Sequence, residues 1–273
     1  MAAGGLREVA FATVGPVLLV LLALVVALAA ATRSTWSPCG LSMLSTITPM
    51  AEQSRGHRYG VTATWFILGA GLGGLTLGGA AALLAAGLSV LDLSTTATFG
   101  AAAVLAAATA MVDAGTFGRR PPFFRRQVDD AWLAKYRAWV YGGGFGWQIG
   151  VGLATYIMTA GVVLTALLAV LTASVTQALA IGVIFGLARG LVVLLGARIT
   201  SPGALGAVHQ RLDALEAPVR WAVVGVQVAV ALLAAVVAWG PMAAIPVVLA
   251  CAIALAARLP LGLRDPAQEP APS

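Results

Sequence analysis

A cysteine at the start of a predicted helix is the residue best suited to chemistry in this sequence. Ser37 is a suitable N-cap and Pro38 suits the first helical position, which predicts that Cys39 is the second residue of its helix. Unpaired N–H groups and the helix dipole favour a thiolate there, and the thiolate is the reactive form of cysteine. The alternative is a buried, inert cysteine.

Hydroxyl side chains follow Cys39 along the same short helix. Cys39, Ser42 and Thr46 are spaced so that they share one predicted helical face, with Ser45 nearby and Pro49 disrupting the helix. A helix of roughly 12–14 residues extends about 20 Å, which is less than a hydrocarbon core of about 30 Å. The hydroxyls either line a cavity within the membrane or bond to their own backbone and to neighbouring helices.

An arginine, Arg189, lies inside a long apolar segment. A guanidinium is costly there, which predicts that it faces the bundle interior and binds an anionic substrate or a neutral partner such as Gln227 or Gln148. The alternative is that its side chain extends to the membrane surface. The predicted substrate path consists of Ser37, Pro38, Ser42, Ser45, Thr46, Pro49, Tyr156, Thr159, Arg189 and Gln227.

No set of residues in the sequence has the spacing of a metal site, a phosphate loop or a hydrolase triad. His57 and His209 both lie in basic loops, and Cys251 lies in a plain apolar run that predicts a structural role. We therefore expect no metal and no cofactor, and a membrane carrier or transporter rather than an enzyme of the soluble type. Two cysteines exclude a disulfide framework.

The composition predicts an all-α integral membrane protein. Of the 273 residues, 60% are hydrophobic and 10% are charged, whereas soluble domains carry about 25% charged residues. Short alternating segments of the β-barrel type are absent from the sequence. The net charge of +6 is spread between apolar segments, which indicates membrane topology rather than a nucleic-acid surface.

Eight apolar stretches are predicted to be transmembrane helices. With both termini cytoplasmic, 14 of the 16 basic residues fall on the cytoplasmic side, while Arg33 is outside and Arg189 is within a span. This pattern predicts a multi-pass protein of the plasma or inner membrane, with the first helix retained rather than cleaved as a signal peptide. The stretches are 9–31, 34–50, 60–88, 95–113, 146–171, 176–197, 219–239 and 241–258.

Weak internal similarity predicts two inverted three-helix repeats with one extra helix at each end. Residues 35–41 resemble 146–152 and residues 66–73 resemble 183–190, while the two units begin on opposite sides of the membrane. Amphipathic interfacial helices are predicted at 128–140 and 203–216. The predicted organisation is an N-terminal helix at 1–32, a first repeat at 33–113, a cytoplasmic basic loop at 114–145, a second repeat at 146–240, a last helix at 241–258 and a disordered cytoplasmic tail at 259–273.

The segment Ser37-Pro38-Cys39-Gly40 is followed by Pro49, a basic turn and a glycine-rich span. This arrangement resembles the first repeat of the CcdA/DsbD family of transmembrane thiol–disulfide electron carriers, within the wider LysE-type superfamily. The resemblance covers residues 33–240 in architecture, although its specific motif is short. It implies that Cys39 is one of two cysteines that pass reducing equivalents from cytoplasmic thioredoxin to extracytoplasmic thiol proteins, including those of cytochrome c maturation. The second cysteine is absent, because residues 147–159 contain no thiol, and the familiar dithiol relay cannot operate.

Three functional hypotheses follow. The first is a CcdA-like carrier that uses Cys39 as its single cysteine, with a partner's cysteine or Cys251 as the second thiol. The second is a small-solute or anion exporter on a LysE-like inverted-repeat scaffold, and the third is a non-transporting subunit whose interfacial helices bind another protein. The expected partners are the lipid bilayer and thioredoxin-like thiol proteins, and not nucleic acid.

Overall fold

The computed structural model describes residues 2–116, 131–243, 245, 246 and 249, which contain helices and no β-strand. Cys251, the tail and most of the predicted helix at 241–258 lie outside the described residues. Short 3₁₀ segments occupy Ser34–Trp36, Leu191–Arg198 and Pro241–Ala243. The α-helices are α1 (Ala2–Arg33), α2 (Pro38–Thr46), α3 (Pro49–Ser54), α4 (Tyr59–Ser89), α5 (Thr95–Ala114), α6 (Trp132–Lys135), α7 (Ala138–Val151), α8 (Gly161–Leu171), α9 (Val175–Gly190) and α10 (Pro202–Trp239).

Five helical segments of the described residues are long and apolar enough to cross a membrane. The prediction of an all-α membrane protein is therefore confirmed as a class. The predicted number of eight spans is not confirmed, since the other predicted spans are broken, short or outside the described residues. The five candidate spans are Val14–Trp36, Tyr59–Ser89, Thr95–Ala114, Val175–Arg198 and Pro202–Trp239.

The segment predicted as a span at 34–50 forms two short helices instead. Helix α2 has nine residues and α3 has six, so neither could cross a bilayer alone. The Thr48 hydroxyl accepts a hydrogen bond from the Ala51 N–H at 3.1 Å and caps a new helix that begins at Pro49. The predicted helix of roughly 12–14 residues therefore already ends at Thr46.

The predicted span at 146–171 is also divided, into α7 and α8. Helix α7 ends at Gly152, whose φ of +74° is the left-handed conformation that glycine adopts without strain. A Cβ atom at Gly152 would lie 2.7 Å from the Phe185 ring and 3.2 Å from Arg189 Nη1. Glycine is therefore required there both for the backbone turn and for space, and the turn leads into an irregular segment at 153–160.

The two predicted interfacial helices also differ from the prediction. Segments 203–216 and 219–239 form one continuous helix, α10, of 38 residues or about 57 Å, with Pro218 inside it. The polar part of α10 stays helical because Ala, Leu, Glu and Arg all have high helix propensity. In place of the helix predicted at 128–140, the described residues contain α6, of four residues, and the start of α7, which includes Trp139.

Helix α4 lies at the centre of the bundle and contacts its neighbours through glycine. Helices α4 and α9 are antiparallel, with Gly74 against Gly182 and Gly78 against Ala178. An added Cβ at Gly74 would collide with the Gly182 carbonyl oxygen, so these backbones pack as closely as small residues allow. Helix α7 runs parallel to α4, which it contacts through Gly142, Gly146 and Gly150.

Contacts between helix ends define the two ends of the bundle. Gly15 of α1 contacts Phe99 near the start of α5, while Arg33 and Asp113 near the ends of these helices line one cavity. Helices α1 and α5 are therefore parallel, and α10 is antiparallel to them because Trp239 contacts Gly100. We call the end that contains Arg33 the basic end, because it holds Arg33, Arg55, Arg58, Lys135, Arg137, Arg198, Arg211 and Arg220.

Candidate functional site

The predicted start of the cysteine-bearing helix is confirmed. The Ser37 hydroxyl accepts a hydrogen bond from the Gly40 N–H at 3.1 Å, and Pro38 is the first residue of α2. Cys39 follows it, 1% exposed, in an apolar cluster that includes Met43. The thiol is therefore held in the first turn of a capped helix and is shielded from solvent.

Arg189, the second residue singled out in the sequence, is buried at the end of α9. It is 3% exposed and its guanidinium lies 5.7 Å from the centre of the Phe185 ring. Its Nη1 atom is buried and has no hydrogen-bond partner among the described residues. The guanidinium interacts electrostatically with Cys39. The fold therefore brings together two groups that are 150 positions apart in the sequence.

A small cavity lies between Arg189 and helix α2, which carries Cys39. Its volume is about 20 Å³, and Gly40 and Met43 of α2 face Arg189 across it. A site needs about 10–15 Å³ to hold one water molecule. The cavity is therefore large enough for one water beside the guanidinium, and too small for an organic substrate.

The predicted hydroxyl face of α2 does not line this cavity. The buried residues of α2 are Cys39, Gly40, Met43 and Leu44, whereas Ser42, Ser45 and Thr46 are partly exposed. The Ser45 and Thr46 hydroxyls donate to the Leu41 and Ser42 carbonyls at 2.9 and 2.8 Å, and Ser45 also contacts His209 Nε2 at 3.3 Å. These serine and threonine side chains satisfy their own helix, which was the alternative interpretation. Pro49 begins α3, and Tyr156 packs against the Cys39 cluster.

A buried carboxylate that sequence reasoning missed lies beside this site. Glu52 is fully buried in the first turn of α3, where its oxygens accept hydrogen bonds from Tyr141 at 2.8 and 2.7 Å and from Thr62 at 2.5 Å. Arg55 donates to Glu52 Oε1 at 2.9 Å, and this ion pair is partly exposed on the arginine side. The only sequence signal was the Glu52–Arg55 spacing of three residues, which is common on exposed helices.

Tyr141 is the main connection between this carboxylate and α7. Helix α7 lies outside the five candidate spans. Burial raises the pKa of Tyr141 to about 12, and its hydrogen bond to Glu52 contributes to the increase. The phenol therefore stays protonated at physiological pH and acts as a hydrogen-bond donor to Glu52. His57 Nδ1 contacts the same phenol oxygen at 3.2 Å.

A second buried carboxylate, Asp113, organises the irregular segment between α7 and α8. Thr159 Oγ1 and Gln227 Nε2 donate to Asp113 Oδ2 at 2.5 and 2.7 Å, and the Ala160 N–H donates to Oδ1 at 2.7 Å. Thr159 and Gln227, two residues of the predicted substrate path, are therefore brought together, although they surround Asp113. Gln227 was proposed as a partner of Arg189, and its amide instead binds the carboxylate. No cluster of three or more potential metal ligands occurs among the described residues.

Long apolar helices around buried charges and a buried thiol define a polytopic helical membrane protein with a partly polar interior. This chain belongs to the family of the methylamine utilization protein MauF. It is 35% identical to MauF of Paracoccus denitrificans over 203 residues, which are 72% of this chain and 70% of that protein. It is also 35% identical to MauF of Paracoccus versutus over 164 residues, 59% of each chain. No family model and no solved structure matches the chain.

Proposed function

We propose that this protein is a CcdA-like membrane carrier of reducing equivalents that acts in methylamine utilization, with Cys39 as its single reactive group. The observation that carries the proposal is the proximity of Cys39 to the buried guanidinium of Arg189, which lines a cavity together with the neighbouring Gly40. A buried guanidinium with an unused donor stabilises a neighbouring thiolate, and thiolates are the nucleophiles of thiol–disulfide exchange. The name of the MauF family supplies the process, which is methylamine utilization.

One cysteine is sufficient for a balanced transfer if both partner proteins carry two cysteines. The Cys39 thiolate attacks the disulfide of an acceptor protein, which forms a mixed disulfide and releases one acceptor thiolate that takes up a proton. A thiol of a thioredoxin-like donor attacks Cys39 in this mixed disulfide and releases the reduced acceptor. The second donor thiol then displaces Cys39, which leaves an oxidised donor. Two electrons and two protons pass from donor to acceptor, and Cys39 is regenerated.

The packing of the bundle supports the proposal that 33–113 and 146–240 are inverted repeats. The central helices of the two units, α4 and α9, cross antiparallel at Gly74 and Gly182, and the last helices, α5 and α10, are also antiparallel. In inverted-repeat carriers, a pseudo-two-fold axis in the membrane plane relates the two units, so that corresponding helices run antiparallel. The Cys39–Arg189 pair joins one residue from each proposed repeat, as a site at a repeat interface would.

The reactive thiol can be tested by trapping. In a Cys251→Ser variant, Cys39 is the sole cysteine, and we expect it to form mixed disulfides with other proteins in cells grown on methylamine. Acid quenching, alkylation and non-reducing electrophoresis would show a band that dithiothreitol removes. The matched control is Cys39→Ser, which retains Cys251 and should give no such band. A Cys39 thiol that is fully alkylated under every redox condition contradicts the proposal.

The proposed orientation differs from the expectation that both termini are cytoplasmic. Helix α1 begins at the end opposite the basic end, and Arg7 is the single basic residue towards that end among the described residues. The positive-inside rule puts the basic end in the cytoplasm and hence the N-terminus outside, in a plasma or inner membrane. Arg33 then lies on the cytoplasmic side.

A pair of reporter fusions checks this orientation. Alkaline phosphatase fused before Met1 without an added signal sequence should be active, whereas a fusion inserted after Arg55 should be inactive. Green fluorescent protein at the same two positions should give the opposite pattern. A phosphatase that is inactive at the N-terminus as well as after Arg55 would restore the earlier orientation, in which both positions are cytoplasmic.

A further inference from the structure

A second cavity, separate from Cys39, lies at the basic end between the ends of α1 and α5 and the middle of α10. Its volume is about 130 Å³, and its polar wall is formed by Arg33, Asp113, Thr159, Glu216 and Arg220. Two guanidinium groups and two carboxylates thus share one space. None of these residues takes part in the proposed thiol chemistry, so the inference below is independent of it.

The carboxylate of Asp113 is a fixed part of this wall. Three donors occupy its two oxygens at 2.5–2.7 Å, from the Thr159 hydroxyl, the Ala160 N–H and the Gln227 amide. Asp113 is buried, and a carboxylate has only about four lone-pair positions for hydrogen bonds. It is therefore occupied by the protein and has little capacity left for a ligand.

Arg33 is the side chain with capacity for a ligand. It is 5% exposed, and its Nη1 atom is buried without a hydrogen-bond partner among the described residues. Its Nη2 atom pairs with Glu216 Oε1 at 3.1 Å, and its guanidinium lies 5.8 Å from the Trp36 ring. A buried, charged hydrogen-bond donor without an acceptor is energetically costly, so an acceptor in the cavity would be favourable. A guanidinium binds best to an acceptor group with two oxygens, because it can then form two parallel hydrogen bonds.

Glu216 is the replaceable member of the group. The Glu216 side chain is 54% exposed, whereas that of Arg33 is 6% exposed, so the glutamate can turn into water at low cost while the arginine cannot. With Glu216 in place, the two arginines and two carboxylates sum to zero charge. With Glu216 turned outward, the cavity carries one net positive charge, which one monoanion would neutralise.

We propose that this cavity is a binding site for a small oxyanion, a carboxylate or a singly charged phosphate group, which replaces Glu216 on Arg33. On the same scale of about 10–15 Å³ per water, a space of about 130 Å³ holds roughly nine to thirteen waters, which leaves room for an anion of about four to six non-hydrogen atoms. Arg33 binds the oxyanion through both terminal nitrogens, and Arg220 supplies the second positive charge. The same chemistry is offered by a free metabolite anion and by the headgroup of an anionic lipid.

The test measures anion binding to the full-length protein and to three variants. Thermal unfolding is followed in a neutral detergent free of phospholipid, with sodium acetate or sodium phosphate titrated at constant ionic strength against sodium chloride. A second arm uses nanodiscs of phosphatidylcholine with or without phosphatidylglycerol. The variants are Arg33→Gln, Glu216→Gln and, as an exposed control on α10, Arg211→Gln.

The anion should raise the melting temperature of the wild-type protein. Glu216→Gln should tighten binding about tenfold, because the competing carboxylate is gone, and Arg33→Gln should abolish it. Arg211→Gln should match the wild type. Stabilisation by acetate or phosphate in detergent identifies a free anion, and stabilisation by phosphatidylglycerol alone identifies a lipid headgroup. The proposal is overturned if no anion stabilises the protein, or if a folded Glu216→Gln variant binds no more tightly than the wild type.

Discussion

Replacement of Cys39 by serine is expected to abolish growth on methylamine in the native host while leaving the protein in the membrane. A hydroxyl cannot form the mixed disulfides that the proposed transfer requires, and at physiological pH it is not ionised beside Arg189. Serine is similar in size to cysteine and its hydroxyl can bond to the backbone of its own helix, so the fold should tolerate it. The measurements are the growth rate on methylamine and the amount of protein in isolated membranes.

The matched control for this experiment is Cys251→Ser, which removes the other cysteine of the chain. It should grow at the wild-type rate, because the proposed transfer uses Cys39 alone. If Cys39→Ser supports normal growth, the thiol proposal is wrong. If Cys251→Ser also abolishes growth at normal protein levels, the single-cysteine scheme must be replaced by one with two cysteines in this chain.

The second large effect is expected for Glu52→Gln, which should lower the melting temperature in detergent by about 5–10 °C. The substitution removes the charge that pairs with Arg55 and replaces one acceptor oxygen of Glu52 with a donor that faces Thr62 or Tyr141. Breaking one partner of a buried, hydrogen-bonded charge costs about 3 kcal/mol, and about 1 kcal/mol shifts the melting temperature of a protein this size by roughly 2–4 °C.

An exposed carboxylate provides the control for this prediction. Asp213→Asn on α10 changes the same charge on the surface and should shift the melting temperature by no more than about 1 °C. A double-mutant cycle of Glu52→Gln with Tyr141→Phe should be strongly non-additive, because the two side chains share hydrogen bonds. A Glu52→Gln variant with the melting temperature of the wild type would show that this carboxylate does not stabilise the fold.

The membrane class and the central spans could be predicted from sequence because they depend on local composition. Long apolar runs form the helices α4, α5 and α9, and this depends little on which other helices pack against them. The break at Thr48 could not be predicted with the same ease, since a proline at position 49 is compatible both with a kink in one helix and with the first residue of a second. The charged segment 203–216 was predicted as a separate interfacial helix, whereas α10 continues from it into the apolar segment without a break.

The candidate site was predictable where residue type alone was informative. A cysteine at a helix start and an arginine in an apolar segment stand out in the sequence, and the fold places them together. The buried carboxylates were missed because their partners are remote in sequence. Tyr141 is 89 positions from Glu52, and Gln227 is 114 positions from Asp113. A single sequence contains no signal for such pairings, and an acidic residue near a helix end is normally exposed to solvent.

The tight glycine contacts of α4 have a consequence for the timing of the proposed reaction. Backbones that already touch at Gly74 and Gly182 cannot be compressed further, so a conformational change that uncovers the thiol must occur at the periphery. Helix α2 is short and is bounded by a 3₁₀ segment and by the non-helical residues Ile47 and Thr48, so it is the element best placed to move outward. The observed rate constant would then be the intrinsic rate of exchange multiplied by the small fraction of time that α2 is open. Partners that bind and hold the open form would thereby gain selectivity over glutathione and other diffusing thiols.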